Sequence, residues 1–398
     1  MRCSPATGWR RYITGDKRLI VKNLSTGEEL EEHYDRLVIA TGARAVLPAV
    51  EGADLKGTFV LRFLSDSDEL LSFVEERPPK KAVVVGAGYI GLEIVENLVE
   101  LGMDVSLVEV EERVAPAYDP EISEKIEDHL EEKGVSVFTG AAVEALAGDG
   151  ERRVRAVRFD SREIQAEVVI LGVGTRPEVS LAKEAGARLG DSGAIRVDKR
   201  LKTNLPDVWA AGDCVETTNL VTGEPAWVPL GDTANQMGRV AGTNAVLGEA
   251  NGASEADEDA LEFPGVLGTG VFKVFDLGVA KTGLSEEEAV EAGFGVVSAS
   301  IKSVDKAGYF PGGSPVFIKL LADGATGRLI GAQAVGGNVD KYIDLCATAI
   351  WGRLSHPDLT NLDLAYAPPF GPVLSPVISA AGALANEFEK ETEGARTA

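Results

Sequence analysis

Gly86-Ala-Gly88-Tyr-Ile-Gly91 is the stretch of this chain whose residue types and spacing point most directly to chemistry. Gly86 permits a tight turn, Gly88 lets the backbone approach a pyrophosphate, and Gly91 lets the following helix sit against a sheet. The free N–H groups and the positive end of that helix then face the phosphates. Glu109 stands about 20 residues further on, where an acid accepts hydrogen bonds from ribose hydroxyls and repels a 2′-phosphate. The chemistry implied is dinucleotide binding, with NADH favoured over NADPH. Arg113 lies close enough in sequence to soften that preference.

Other constellations are weak. His33, His129 and His356 are the only histidines, and no His, Cys, Asp or Glu cluster has metal-ligand spacing. His33 and His129 read as solvated, and Ser355-His-Pro-Asp358 reads as a helix start. Cys3, Cys214 and Cys346 lie far apart, with no Cys-x-x-Cys, so neither zinc nor a disulfide framework is indicated. Cys214 and Cys346 read as small core side chains. There is no Gly-x-Ser-x-Gly nucleophile turn.

The elements that must position the glycine turn are legible around it. Lys81-Ala-Val-Val-Val precedes it as a buried strand. A helix is expected over 89–101 and a second strand over 105–108, ending on Glu109. The alternation continues with a charged helix over 120–133, a strand over 135–139 and a meander over 143–168. A buried strand over 168–171 then runs into Gly172-Val-Gly174. Upstream, residues 1–17 show little pattern. Residues 19–24 and 34–40 are expected to pair as antiparallel strands, and 65–76 to form a helix capped by Ser65. Downstream come short strands over 195–197 and 208–211, a helix over 233–247 and an acidic linker over 249–261. An α+β segment follows, with strands over 270–275, 295–301, 316–322 and 329–335 and helices over 285–292 and 340–354.

The chain's 398 residues suggest two or three domains, and 44% hydrophobic content can build sizeable cores. A formal charge of −24 argues against nucleic acid or an anionic membrane as partner. Sparse cysteines and the lack of an apolar leader behind Arg2, Arg10 and Arg11 point to the cytoplasm. The uncharged run 364–386 is long enough to span a bilayer, but Pro368, Pro369, Pro372 and Pro376 break it. It reads as loop plus helix.

Four segments fall in a telling order. They are Tyr34-Asp-Arg-Leu-Val-Ile-Ala-Thr41-Gly42, Gly86 to Glu93, Gly172-Val-Gly174-Thr-Arg-Pro177 and Ala210-Ala-Gly212-Asp213-Cys214. Together they resemble the pyridine nucleotide-disulfide oxidoreductases, flavoproteins with two dinucleotide sites. Gly308-Tyr309-Phe310-Pro311-Gly312 and Leu364-Ala-Tyr366-Ala-Pro-Pro369-Phe370 resemble one branch of that family. It holds the coenzyme A-disulfide reductases, NADH oxidases, NADH peroxidases and polysulfide reductases. The resemblance covers nearly all of residues 19–385.

The resemblance implies an α/β protein with two interleaved Rossmann-like domains and a C-terminal α+β dimerisation domain. Residues 1–77 and 191–262 would be parts of the FAD domain, 78–190 the NAD(P)H domain, 263–386 the dimerisation domain and 387–398 a polar tail. Thr41 and Gly42 would lie near the FAD adenosine, and Gly212 and Asp213 at its ribityl chain. Gly86, Gly88, Tyr89, Ile90, Gly91, Glu109, Gly172 and Gly174 would line the nucleotide. Tyr89 would cover the flavin and swing aside, and Glu93 would lie at the nicotinamide end. Tyr309 and Tyr366 would reach a disulfide site from the partner subunit of a homodimer. Phe310 and Phe370 stand where some coenzyme A-disulfide reductases carry further tyrosines, which leaves oxidase and polysulfide roles open. The implied activity passes hydride from NADH through FAD to a disulfide, a polysulfide or oxygen.

The sequence departs from the family in two ways. Residues 1–40 contain no second Gly-x-Gly-x-x-Gly, and Cys3-Ser-Pro-Ala does not resemble the family's redox-cysteine segment. About the first hundred residues of a family member are expected to be absent, the size of one βαβ unit with its cysteine segment. The FAD domain is then incomplete. A truncated NADH-binding dimeric module without turnover, or an electron carrier to a protein partner, are the alternative readings.

Overall fold

The computed structural model describes residues 7–13, 17–247 and 259–397. The chain divides into two compact units, each made of two separated segments. One holds residues 1–44 and 175–268, the other residues 45–174 and 269–398.

The larger unit is built on a five-stranded parallel sheet. Its order is Thr58–Phe59, Val168–Leu171, Lys81–Val85, Asp104–Val108, Ser136–Phe138. The central strands are continuous apolar runs because both faces are covered. Ala82, Val84 and Ile170 point to one face, where they meet Leu92, Leu98, Ile122 and Ile126 of the helices Tyr89–Glu100 and Pro120–Glu132. Val83, Val85 and Val169 point to the other, where Leu146, Val157 and Phe159 of an antiparallel meander cover them. Strand periodicity of two assigns one set of side chains to each face.

The same unit contains a five-stranded antiparallel sheet. Its order is Gly270–Val274, Leu277–Gly283, Leu329–Gly336, Pro315–Asp323, Val296–Val304. Phe272, Val274, Val279 and Val335 of this sheet belong to the same buried cluster as the nucleotide-fold helices.

The smaller unit holds a parallel pair, Leu37–Ile39 with Val208–Ala210, backed by the helix Gly231–Leu247. Around it stand two three-stranded sheets.

Several sequence expectations are corrected. The strand at 37–39 does not pair with 18–23. Arg18–Asn23 lies between Thr7–Ile13 and Glu29–His33 instead. Alternation assigns faces but not partners, so a partner 170 residues away in sequence was invisible. The helix at 64–76 is not capped by Ser65. Its N-cap is Phe63, and Asp66 accepts from the Arg62 and Phe63 amides at 2.8 Å each. The strand Leu277–Gly283 was missed because Lys281 and two glycines break its apolar reading. Lys281 is buried, with Glu288 at 2.7 Å. Residues 387–397 of the expected polar tail form the end of a helix, Pro376–Thr397. Residues 248–258, most of the expected acidic linker, and Cys3 lie outside the described residues.

Candidate functional site

The Gly86–Gly91 turn joins the Lys81–Val85 strand to the Tyr89–Glu100 helix in the larger unit. Gly86 has φ +102°, and a Cβ there would overlap the Gly172 carbonyl. A Cβ on Gly91 would overlap the Gly86 carbonyl oxygen, so this glycine sets how closely helix and strand approach. Gly88 differs: a Cβ there would meet nothing within 4 Å. It caps the helix in extended geometry with no side chain bonded to the helix amides. Internal packing therefore requires Gly86 and Gly91. The space beside Gly88 lies open at a helix N-terminus, the form of an anion site.

Glu109 is buried, at 6% exposure, at the end of the neighbouring strand. Its carboxylate accepts from the Ala87 amide at 2.5 Å and from the Glu111 amide at 3.0 Å. It therefore ties the second strand to the glycine turn. Arg113 turns instead to the Pro116 carbonyl at 3.2 Å and Glu287 at 3.1 Å. Gly172 and Gly174 follow the Val168–Leu171 strand, and Gly174 has φ +98°.

Tyr89 opens the helix and enters a three-ring cluster. Its ring lies 5.1 Å from Phe272 and 6.2 Å from Tyr118, and those two are 6.0 Å apart. Burial raises the pKa of the Tyr89 hydroxyl and lifts that of Tyr118 well above the ordinary value. Ile90 is exposed. Glu93, one turn on, is exposed, and its pKa is raised by desolvation, then by Glu96, against the pull of Lys273. Glu96 is itself held by Lys273 and by the Phe275 amide. Tyr118, Phe272, Glu96 and Lys273 were missed in the sequence because each acts through a distant partner.

The structure brings Tyr309 and Tyr366 together by their hydroxyls, and that contact is the first cause of a raised Tyr366 pKa. Tyr309 is 77% exposed and Phe370 68%. Val373 and Leu374 are exposed nearby in sequence, so the 309 and 366–374 segments present an uncovered apolar face.

In the smaller unit, Thr41-Gly42 and Gly212-Asp213 follow the carboxyl ends of the two paired parallel strands. That end is where open α/β sheets bind ligands. Gly42 and Gly212 both take positive φ, +70° and +81°. The Thr41 hydroxyl donates to the Glu178 carbonyl, and the Trp227 indole donates to the Asp213 carbonyl at 2.7 Å. The sequence has only one Gly-x-Gly-x-x-Gly, and it lies in the other unit.

Cys214 and Cys346 are both fully buried, and burial pushes the Cys346 thiol up to about 12. Neither is placed for thiol–disulfide exchange, which needs an accessible thiolate. His129 is not solvated as expected. It is 14% exposed, with Asp276 at 3.1 Å and the Phe275 ring beside it. His356 opens a short helix whose Ser355–Asp358 capping box matches the sequence reading. Among the described residues no group of three or more His, Cys, Asp or Glu could hold a metal. No helix there is long and apolar enough to cross a membrane.

A family model described as pyridine nucleotide-disulphide oxidoreductase matches residues 7–238. The dimerisation domain of the same oxidoreductases matches residues 270–376. A CoA-dependent NAD(P)H sulfur oxidoreductase of Pyrococcus furiosus is 38% identical over 359 residues, 90% of this chain and 78% of that protein. An NADH oxidase of Methanocaldococcus jannaschii is 37% identical over 357 residues, 89% of this chain and 76% of that protein. The solved structure of an NAD-dependent persulfide reductase from A. fulgidus superposes with a TM-score of 0.90 at 40% identity. It covers 97% of this chain and 69% of that one.

Proposed function

The chain belongs to the pyridine nucleotide-disulphide oxidoreductases, and from that membership we propose that it oxidises NADH and reduces a sulfur–sulfur bond or oxygen, with FAD as its cofactor. The observation that carries the nucleotide half is the Gly86–Gly91 turn. Two of its glycines are crowded by the protein, and the third faces open space at a helix N-terminus. A pyrophosphate would sit beside Gly88 and accept from the first helix amides. Glu109 would receive the adenosine ribose, and its charge disfavours a 2′-phosphate. Arg113 is paired with Glu287 rather than turned to Glu109, which supports NADH over NADPH.

Tyr89 would lie over the nicotinamide end, bracketed by Tyr118 and Phe272. Glu93, its carboxyl pKa raised by desolvation, would meet the carboxamide. Thr41, Gly42, Gly212 and Asp213 would hold the flavin dinucleotide at the strand ends of the smaller unit. FAD, when bound, supplies the two-electron acceptor for the nicotinamide. We assign residues 1–44 and 175–268 to the FAD domain, 45–174 to NADH and 269–386 to dimerisation, because Thr58–Phe59 pairs within the nucleotide sheet. The apolar face around Tyr309, Tyr366 and Phe370 would pair with a second copy. Sulfur species are favoured as acceptor by the sulfur and persulfide reductases among the relatives, and oxygen by the NADH oxidase. Cysteine usage favours the cytoplasm.

The test is anaerobic titration of the purified chain with NADH, followed at the flavin absorbance band. Bleaching by about one NADH per flavin is expected. A chain that takes up no flavin, or flavin that NADH leaves oxidised, sinks the proposal.

A further inference from the structure

Tyr89 lies at the end of two rows of residues on one face of the antiparallel sheet. Residues directly opposite one another on paired strands share a face. The register therefore sets Phe272, Val279, Val335 and Phe317 side by side. It sets Gly270, Lys281, Gln333 and Lys319 side by side in the next row. The Tyr89 ring rests against Phe272, which begins the first row, at 5.1 Å. Gly270, which begins the second, leaves room for the Tyr89 hydroxyl: a Cβ there would stand 3.6 Å from it. The remaining wall is Tyr118, buried and edge-on to Tyr89 at 80°.

The second row is polar yet buried at Lys281, Gln333 and Lys319. Burying two ammonium groups and an amide costs stability that apolar side chains of similar size would not. The row is spent on the backbone around Tyr118. The Lys281 ammonium donates to the Ala117 carbonyl at 2.9 Å, and the Asp119 amide donates to Gln333 Oε1 at 2.8 Å. Lys319 pairs with the Asp119 carboxylate at 3.0 Å. Glu288 completes the partners of Lys281, and Glu121 and Glu286 those of Lys319. The residues on both sides of Tyr118 are thus held by the sheet that carries Phe272 and Gly270. The Tyr89 and Tyr118 hydroxyls affect each other's ionisation but do not meet in hydrogen-bond geometry. What Tyr118 offers Tyr89 is therefore its ring.

We propose that Tyr118 is a positioning residue for Tyr89, and that the buried row Lys281–Gln333–Lys319 fixes Tyr118 in that place. The sheet of the dimerisation domain then shapes the nicotinamide end of the nucleotide site, although no residue of the row touches the nucleotide. The inference rests on the reading of Tyr89 as the residue over the nicotinamide. Its consequence is selective. NADH, which carries the nicotinamide, should sense Tyr118. ADP-ribose, which shares the pyrophosphate and both riboses but lacks the nicotinamide, should not.

The test titrates the full chain with NADH and, separately, with ADP-ribose. The protein is kept anaerobic and reduced with dithionite, so that NADH is bound but not consumed. Tyr118→Leu removes the ring and should raise the Kd for NADH about three- to tenfold. The Kd for ADP-ribose should stay within about twofold, which also shows that the nucleotide fold is intact. Tyr118→Phe keeps the ring and should rescue NADH binding. Gln333→Leu leaves the Asp119 amide unpaired and should repeat the selective loss without touching either tyrosine. Equal weakening of both ligands in Tyr118→Leu overturns the proposal, because it marks a packing role alone. NADH binding unchanged in Gln333→Leu overturns the part given to the row. Tyr89→Leu separates this inference from the reading beneath it. If Tyr89→Leu weakens NADH selectively and Tyr118→Leu does not, only the positioning role falls. If neither does, the nicotinamide reading of Tyr89 falls and takes the inference with it.

Discussion

The Glu109 carboxylate and the Ala87 amide are hydrogen-bonded at 2.5 Å, joining the end of one strand to the middle of the glycine turn that follows its neighbour. The residue we propose for cofactor choice is thus also a strut of the glycine turn. Glu109→Gln replaces one acceptor oxygen by a donor facing an N–H. It should lower stability by about 1–3 kcal/mol and shrink the preference for NADH over NADPH. Thermal unfolding and paired nucleotide titrations measure both, and an unchanged preference removes the ribose role.

Gly88 and Gly91 separate binding from folding. Gly88→Ala adds a methyl group that touches nothing in the protein, so the melting temperature should hold while NADH affinity falls at least about tenfold. Gly91→Ala forces the helix off the Gly86 carbonyl and should lower both. Calorimetry alongside NADH fluorescence quenching tests the contrast. Undiminished NADH binding by Gly88→Ala rules out a pyrophosphate at that point.

Lys319, 4% exposed, faces Asp119 at 3.0 Å, Glu121 at 3.1 Å and Glu286 at 2.7 Å. Burial alone would lower its pKa, but the carboxylates of Glu286, Asp119 and Glu121 more than reverse that and raise it. A raised lysine pKa stabilises the fold fully below the unfolded value, about 10.4. That stability is lost as pH climbs through the folded value. Lys319→Met should cost about 3–5 kcal/mol at pH 7 and flatten the decline in stability above about pH 10. Urea melts across the alkaline range would show a parallel decline in both proteins if the cluster were inert.

The two described cysteines should be silent to a thiol reagent in the native state. Cys214 and Cys346 are 0% exposed. In a Cys3→Ser variant, labelling should begin only on unfolding. Rapid labelling of Cys214 in the folded chain would restore it as a redox thiol.

A net charge of −24 repels itself across the surface, and salt screens such repulsion within about 10 Å at 0.1 M. The melting temperature should therefore rise from low salt to molar potassium chloride. A flat response would mean that the acids are already balanced by local pairs.

How much of this was legible in the sequence depends on distance along the chain. The Gly86–Gly91 turn, its strand and its helix could be read because every part lies in one short run with a fixed period. The helix start at Ser355–Asp358 was readable for the same reason. Glu109 could be proposed from the sequence as a ribose ligand but not read as a strut, because its partner is a backbone amide, which no residue type announces. Phe272 behind Tyr89 and Lys319 beside Asp119 and Glu121 could not be read, since each of these contacts joins residues more than 150 positions apart. The pairing of 37–39 with 208–210 failed for that reason too. Buried Lys281 broke an apolar pattern that its partners, Glu288 and the Ala117 carbonyl, explain.

Lys319 sits on the antiparallel sheet, whereas Asp119 and Glu121 open the Pro120–Glu132 helix of the nucleotide fold. Phe272 and Val335 of that sheet share a buried cluster with Leu92 and Ile122 of the helices. The family's two modules are therefore not separable parts within this unit. Cutting before Gly270 would strip the nucleotide fold of part of its interior and leave carboxylates without their ammonium. Such an excised fragment should melt broadly and bind its nucleotide weakly. The intact unit should unfold in a single cooperative step, and limited proteolysis should find no seam where the two modules meet.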